Sequence, residues 1–357
     1  MSLHVPFRRA RHRRPTVLAA ITTALLLPAL AGCGSSGASP SASKSEAQDA
    51  QDISATVPPG TTLRIGDQLQ LLQTVLSTGG QGANFPYHVK WASFIGGPPM
   101  LQAFHAGAVD AGFVADTPLI FAQAAHQDVV AVAAWASQHG GNELIAAPGS
   151  GINSWRDLKG KKVAFQKGTS AQATVLQGLD GVGLQLNDID VVNLPFTQVV
   201  AALQGGSVQA GILAPPLDAA YLESHRDAKV VDRPDDLTAR VNFLIASKSE
   251  IASPAKASAL RDFILRLGKA FATIKANPST FVQKFYVEQY HLTPAAGNAL
   301  LASLGTSSFI ELSGDLLPAQ QALADLYYAA GEIPAKLDAS KEFDNRYASV
   351  IRQVISG

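Results

Sequence analysis

From residue 62 onward the chain alternates short apolar, β-rich runs with longer stretches whose apolar positions recur at helical spacing. The pattern predicts strands over 63–66, 88–94, 111–115, 129–135, 162–166, 190–193, 210–213, 229–231 and 243–246. Between them it predicts helices over 98–106, 118–126, 170–179, 196–203 and 217–224. That alternation is the signature of an α/β protein with mainly parallel strands. After Ser253 the chain reads as almost wholly helical, over 254–276, 278–290, 294–304 and 317–330. One unit occurs twice. Residues 101–113 and 201–212 both run helix, glycine cap, tight turn and strand, with a shared Gly-Xaa-Val-Xaa-Ala-Gly core. Two lobes built on one topological unit would produce that echo.

The first 60 residues carry a different pattern. Arg8, Arg9, Arg11, Arg13 and Arg14 precede an apolar run over 16–31, and no acidic residue occurs before Glu46. A basic start, a short apolar run and small residues are the parts of a secretory signal, and Pro28 makes this run too short for a stable membrane span. The run ends in Leu30-Ala31-Gly32-Cys33, which resembles the lipobox of bacterial lipoproteins. That resemblance implies cleavage before Cys33 and a lipid on its sulfur, so residues 1–32 are expected to be the signal peptide. Residues 33–60, rich in Ser, Ala, Gly, Gln and Asp, lack apolar periodicity and are expected to form a flexible tether.

Composition narrows the function. The 357 residues hold 47% hydrophobic and 16% charged side chains, which excludes a disordered chain and suits about two domains. Lys+Arg 28 balances Asp+Glu 28, and loss of the five leading arginines would leave the chain acidic, so no cationic excess exists for nucleic acid. A single cysteine excludes a disulfide framework or thiolate metal cluster. The eight histidines show no metal-ligand spacing, and no nucleophile elbow, P-loop or dinucleotide fingerprint occurs. No catalytic residue, metal or cofactor is expected, and the chain does not read as an enzyme.

Several predicted strands run instead into helix starts made of glycine, proline and hydroxyl residues: Gly96-Gly97-Pro98-Pro99, Asp116-Thr117-Pro118, Gly168-Thr169-Ser170 and Leu194-Pro195-Phe196-Thr197. In open α/β sheets ligands bind in these crevices. A helix N-terminus offers free N–H donors and about half a positive charge, so several converging on one gap would hold an anion without a cationic side chain.

Residues 61–338 resemble the solute-binding proteins of ABC importers in the aliphatic-sulfonate, nitrate, taurine and thiamine-precursor group, with alkanesulfonate binders the nearest likeness. The matching stretches are 94–101, 107–112, 116–125, 157–171 and 328–334. The resemblance implies a type II periplasmic-binding fold: one lobe from 61–146 plus 246–357, another from 147–245, and a cleft between them. It places Gln68, Gly97, Thr117, Thr169, Ser170 and Pro215 at the ligand, with Asp116 as a helix cap. It further implies a monomer on the outer membrane face, handing a small anionic solute to a permease and its ATPase. Where sulfonate binders carry Trp-Asp-Pro-Tyr, this chain has Ala214-Pro215-Pro216-Leu217. Loss of an aromatic and a carboxylate leaves nitrate, taurine or a pyrimidine precursor open as the ligand, and an enzyme on the same fold as a further alternative. Phe94, Phe165 and Phe196 are candidates for an apolar sub-site.

Overall fold

The computed structural model describes residues 53–232 and 241–356. The expected signal peptide and Cys33 lie outside the described residues. Eleven strands form two sheets: β1 Thr62–Gln68, β2 His88–Phe94, β3 Ala111–Ala115, β4 Val129–Ala136, β5 Glu143–Ala146, β6 Lys162–Phe165, β7 Asp190–Asn193, β8 Ala210–Leu213, β9 Lys229–Val231, β10 Val241–Ser247 and β11 Ser308–Ile310. The larger has the order β11-β4-β10-β3-β1-β2 and the smaller β7-β6-β8-β5-β9. Each is the centre of one lobe.

Among the strands of the described residues, β1 runs parallel to β2 and β3, and β6 to β7 and β8. The other pairings are antiparallel, so both sheets are mixed where the alternation suggested mainly parallel strands. The reason lies in the connections. Strands β5 and β10 follow a change of lobe and enter their sheets from the opposite end, which no run of βα units reveals. Strand β5 pairs with β8 and β9 in the smaller sheet, and β10 pairs with β3 and β4 in the larger. Along the chain the strands pass from the larger sheet to the smaller between β4 and β5 and back between β9 and β10.

The helices are α1 Leu71–Thr78, α2 Gly97–His105, α3 Asp116–Ala124, α4 Ser170–Asp180, α5 Phe196–Gln204, α6 Leu217–Ser224, α7 Lys248–Ile251, α8 Pro254–Ala276, α9 Ser279–Phe281, α10 Pro294–Leu304, α11 Leu316–Ala329 and α12 Ala348–Ser356. Residues Val282–Gln289 continue α9 as a π-helix. The duplicated segment is α2–β3 in one lobe and α5–β8 in the other. Gly107 and Gly206 both adopt φ of 63°, and behind them Ala108 N–H bonds Ala103 O at 2.9 Å and Ser207 N–H bonds Ala202 O at 3.1 Å. A left-handed residue closing the last helical turn this way favours glycine, because a Cβ would crowd the adjoining carbonyl.

Leu63, Ile65, Trp135 and Leu244 of the first sheet pack with Phe263, Ile264 and Leu267 of α8, all essentially inaccessible. Trp155, Leu158, Val163, Phe165 and Ile212 centre the second lobe. A third cluster joins the lobes: Ala173 and Leu176 of α4 pack against Ile120 of α3 and Leu323, Ala324 and Tyr327 of α11. Helices α1, α7 and α12 and strands β5 and β11 have no counterpart among the elements expected from the sequence. Helix α1 begins without a local cap; its N–H groups at Leu72 and Gln73 donate to the carboxylate of Asp67, at 2.9 and 3.1 Å, from the preceding strand. A cap that far upstream leaves no helix-start signal in the sequence.

Candidate functional site

A cavity of about 260 Å³ lies between the lobes, lined from the larger sheet, from α1, α2, α8 and α10, and from the helix starts and loops of the second lobe at Thr169, Ser170, Phe196 and residues 214–217. Its polar end forms where the loops entering α2 and α4 meet. Gly96 and Gly97 belong to the first lobe, Gln166 and Gly168 to the second. A Cβ on Gly97 would sit 3.5 Å from the Gly168 carbonyl oxygen, and one on Gly96 would sit 2.9 Å from Gln166 Oε1. The chain approaches this closely because both positions are glycine.

Helix starts leave backbone donors here. Pro98 and Pro99 have no N–H, so the first turn of α2 presents that of Gly97. At α4, Thr169 Oγ1 accepts from Ala171 N–H at 3.2 Å and donates to Gln166 O at 2.7 Å. No acceptor among the described residues takes the N–H of Gly97 or Ser170, or the Ser170 hydroxyl. Two helix N-termini from opposite lobes thus point donors and positive partial charge into one space. None of the described residues lining it is ionisable as an acid or base apart from the phenol of Tyr286. Burial raises that phenol above its usual range, so it stays neutral.

Of the six ligand residues expected from the sequence, Gln68, Gly97, Thr169, Ser170 and Pro215 line this cavity. Gln68 is held by its Nε2, which donates to Phe113 O at 2.6 Å and leaves Oε1 available. Thr117 does not line it. Its side chain is fully buried, donates to Asp116 Oδ1 at 3.0 Å and accepts from the Tyr327 hydroxyl at 3.2 Å. The turn as a whole is still adjacent, since a Cβ on Gly97 would lie 2.2 Å from Pro118 Cγ. Asp116 stays in its own turn, accepting the Thr117 N–H, and burial pushes its carboxyl up to about 6. Below it Glu342 is buried against Gln320, which donates to it at 2.8 Å, and burial pushes this carboxyl up to about 8.

Two groups of lining residues were not anticipated. Asn142, in the first passage between lobes, is buried and donates to Thr174 Oγ1 of α4 at 3.2 Å. The other is an apolar wall. Trp135, Phe271, Phe281, Phe285, Tyr286 and Leu304 come from the first sheet and the C-terminal helices. Of the three phenylalanines proposed for an apolar sub-site, Phe196 lines the cavity, while Phe165 is core and Phe94 packs beside Met100. Helical periodicity marks a residue as facing inward, and a cavity wall and a core face look alike at that level.

A latch flanks the polar end. Lys167 Nζ reaches both oxygens of Glu332 at 3.1 Å, and Gln172 Nε2 donates to Glu332 at 2.6 Å while its Oε1 accepts from Gly168 N–H at 2.8 Å. Glu332, which follows α11 in the first lobe, thereby fixes the second-lobe loop that presents Thr169 and Ser170.

The arrangement is that of a binding cleft between two α/β lobes, and comparison with known proteins agrees. Residues 98–280 match the model of the family described as NMT1/THI5 like. The chain belongs to the NMT1/THI5-like family. A protein of Escherichia coli K12 named as binding aliphatic sulfonates is 29% identical over 77% of this chain and 86% of its own length. One of the same designation from Bacillus subtilis 168 is 27% identical over 72% and 77%. Among solved structures, the alkanesulfonate-binding protein SsuA of Xanthomonas axonopodis pv. citri, bound to MOPS, superposes with a TM-score of 0.72 at 28% identity, covering 80% of this chain and 99% of that one. These matches support the type II periplasmic-binding fold for this NMT1/THI5-like chain.

Proposed function

We propose that this protein is the solute receptor of an ABC importer, binding a small sulfonate-like anion between its lobes and releasing it unchanged to a permease. The observation that carries the reading is the meeting of α2 and α4, from opposite lobes, with unpaired N–H groups at Gly97 and Ser170. A tetrahedral oxyanion has oxygens enough for both helix starts and the Ser170 hydroxyl. Ligand contact with both lobes favours the closed state, which is the differential affinity that closure requires. The names of the similar proteins support the sulfonate as solute class. Gln68, Gly97, Thr169, Ser170 and Pro215 are its proposed site, with Thr117 acting through the turn that seats Gly97.

In this reading the mature chain starts at Cys33, carries a lipid there, and works as a monomer at the outer face of the membrane with a permease and ATPase as partners. Among the described residues no helix is long and apolar enough to cross a membrane. Calorimetric titration with alkanesulfonates, taurine and nitrate tests the solute class: heat with the sulfonates supports it, and silence with all of them refutes it. Cys33→Ser is expected to move the protein from the membrane fraction to the soluble one at unchanged affinity; retention in membranes would remove the anchor.

A further inference from the structure

The polar end of the cavity accounts for a sulfonate head, but much of the remaining lining is aromatic. The rings form two packed groups. The Trp135 and Phe271 rings lie 5.7 Å apart in a tilted pair, and Phe281, Phe285 and Tyr286 lie 5.2–5.5 Å from one another. All five line the cavity, with Leu304 of α10 beside them. They come from elements with separate structural duties, the larger sheet and the C-terminal helices, so no single amphipathic face explains their convergence on an open space. Phe285 and Tyr286 sit on the π-helical turns of Val282–Gln289, an irregularity frequent at functional sites. That segment also reaches the polar end: Gln289 Nε2 donates at 2.7 Å to the carbonyl of Leu69, which adjoins Gln68 and itself lines the cavity.

Size points the same way. A dry cavity of about 150 Å³ walled by Leu, Ile and Phe takes up benzene. The cavity here is about 260 Å³, which leaves room for a ring-sized body beyond the volume of an anionic head.

Resting on the receptor reading above, we propose that the aromatic wall selects sulfonates with a bulky uncharged hydrocarbon body, an aromatic ring in particular, over small or amino-substituted ones. The sulfonate binds at the helix starts and the ring packs against Trp135, Phe271 and Phe285. Each buried methylene is worth about fourfold in affinity, and a one-carbon sulfonate would leave the wall against water. An ammonium-bearing tail is favoured only if a ring face replaces its hydration, an outcome the test below separates.

The test is titration calorimetry of the wild-type protein with p-toluenesulfonate, methanesulfonate, taurine and uncharged benzyl alcohol. The expected result is toluenesulfonate at least tenfold tighter than methanesulfonate and taurine. Leu304→Trp, which fills the wall, should weaken toluenesulfonate at least tenfold more than it weakens methanesulfonate; Phe285→Ala, checked by thermal melt, should erode the preference for toluenesulfonate, and an unchanged preference in both variants overturns the inference. Equal affinity for all three sulfonates, or taurine the tightest, overturns the inference and leaves the receptor reading standing. Binding of benzyl alcohol with no sulfonate binding overturns the receptor reading and leaves the apolar wall. Silence with all four compounds overturns both.

Discussion

Ser170 and its neighbour Thr169 carry the same functional group and have different prospects. The Thr169 hydroxyl is buried and used twice within its own turn, while that of Ser170 has no partner among the described residues. Ser170→Ala should therefore weaken sulfonate binding by about 1.5–3 kcal/mol, the usual worth of a hydrogen bond to a charged group, with little change in melting temperature. Thr169→Ala should show the reverse balance, losing about 1 kcal/mol of stability as a removed helix cap. Calorimetry and thermal melts on both variants check the pair. Glu342 offers a second residue-scale prediction. Its folded-state carboxyl is raised to about 8, against about 4.3 for an unfolded glutamate, so the folded protein holds a proton that the unfolded chain has lost. Its contribution is fully present below about pH 4 and disappears as pH rises through 8. Glu342→Gln should flatten the fall in melting temperature between about pH 5 and 8; an unchanged slope would show that burial does not hold this proton.

At the scale of elements, the cleft depends on how closely α2 can start beside α3. A methyl at Gly97 would lie 2.2 Å from the Pro118 ring, inside van der Waals contact. Gly97→Ala should cost about 1–3 kcal/mol of stability through forced displacement of one helix start, and should weaken solute binding because the same displacement moves a donor. Denaturant melts with parallel titrations separate the two effects. The opposite helix start is less constrained from that side, since a Cβ on Gly168 would meet only Pro98, at 3.3 Å. Its position depends on φ of 73°, a left-handed conformation that suits glycine.

For the whole molecule, closure and binding share one set of contacts. Glu332 of the first lobe holds Lys167 and Gln172 of the second, on the loop that presents Ser170. The ion pair is partly exposed, chiefly at Lys167, and solvent limits such pairs to about 1 kcal/mol or less. Glu332→Gln should therefore weaken solute affinity by about two- to fivefold and raise the open fraction seen by small-angle scattering of the ligand-free protein. Unchanged scattering together with unchanged affinity would show the latch to be passive.

What the sequence determined by itself is local. Glycine and proline punctuation set the helix starts at 97 and 170, and the repeated Gly-Xaa-Val-Xaa-Ala-Gly unit announced two lobes because both copies need the same left-handed turn. Most of the candidate site was legible for that reason: a helix N-terminus carries its donors wherever it is placed. Tertiary structure decided what depends on direction and on distant partners. It reversed β5 and β10 within their sheets, turned the Thr117 hydroxyl toward Tyr327, let Asp67 cap a helix from the neighbouring strand, and set Phe281, Phe285 and Tyr286 at the boundary where the core meets the cavity. Apolar periodicity reports only which side of an element avoids water, and whether that side meets another side chain or a guest is settled by the packing of segments far apart in the chain.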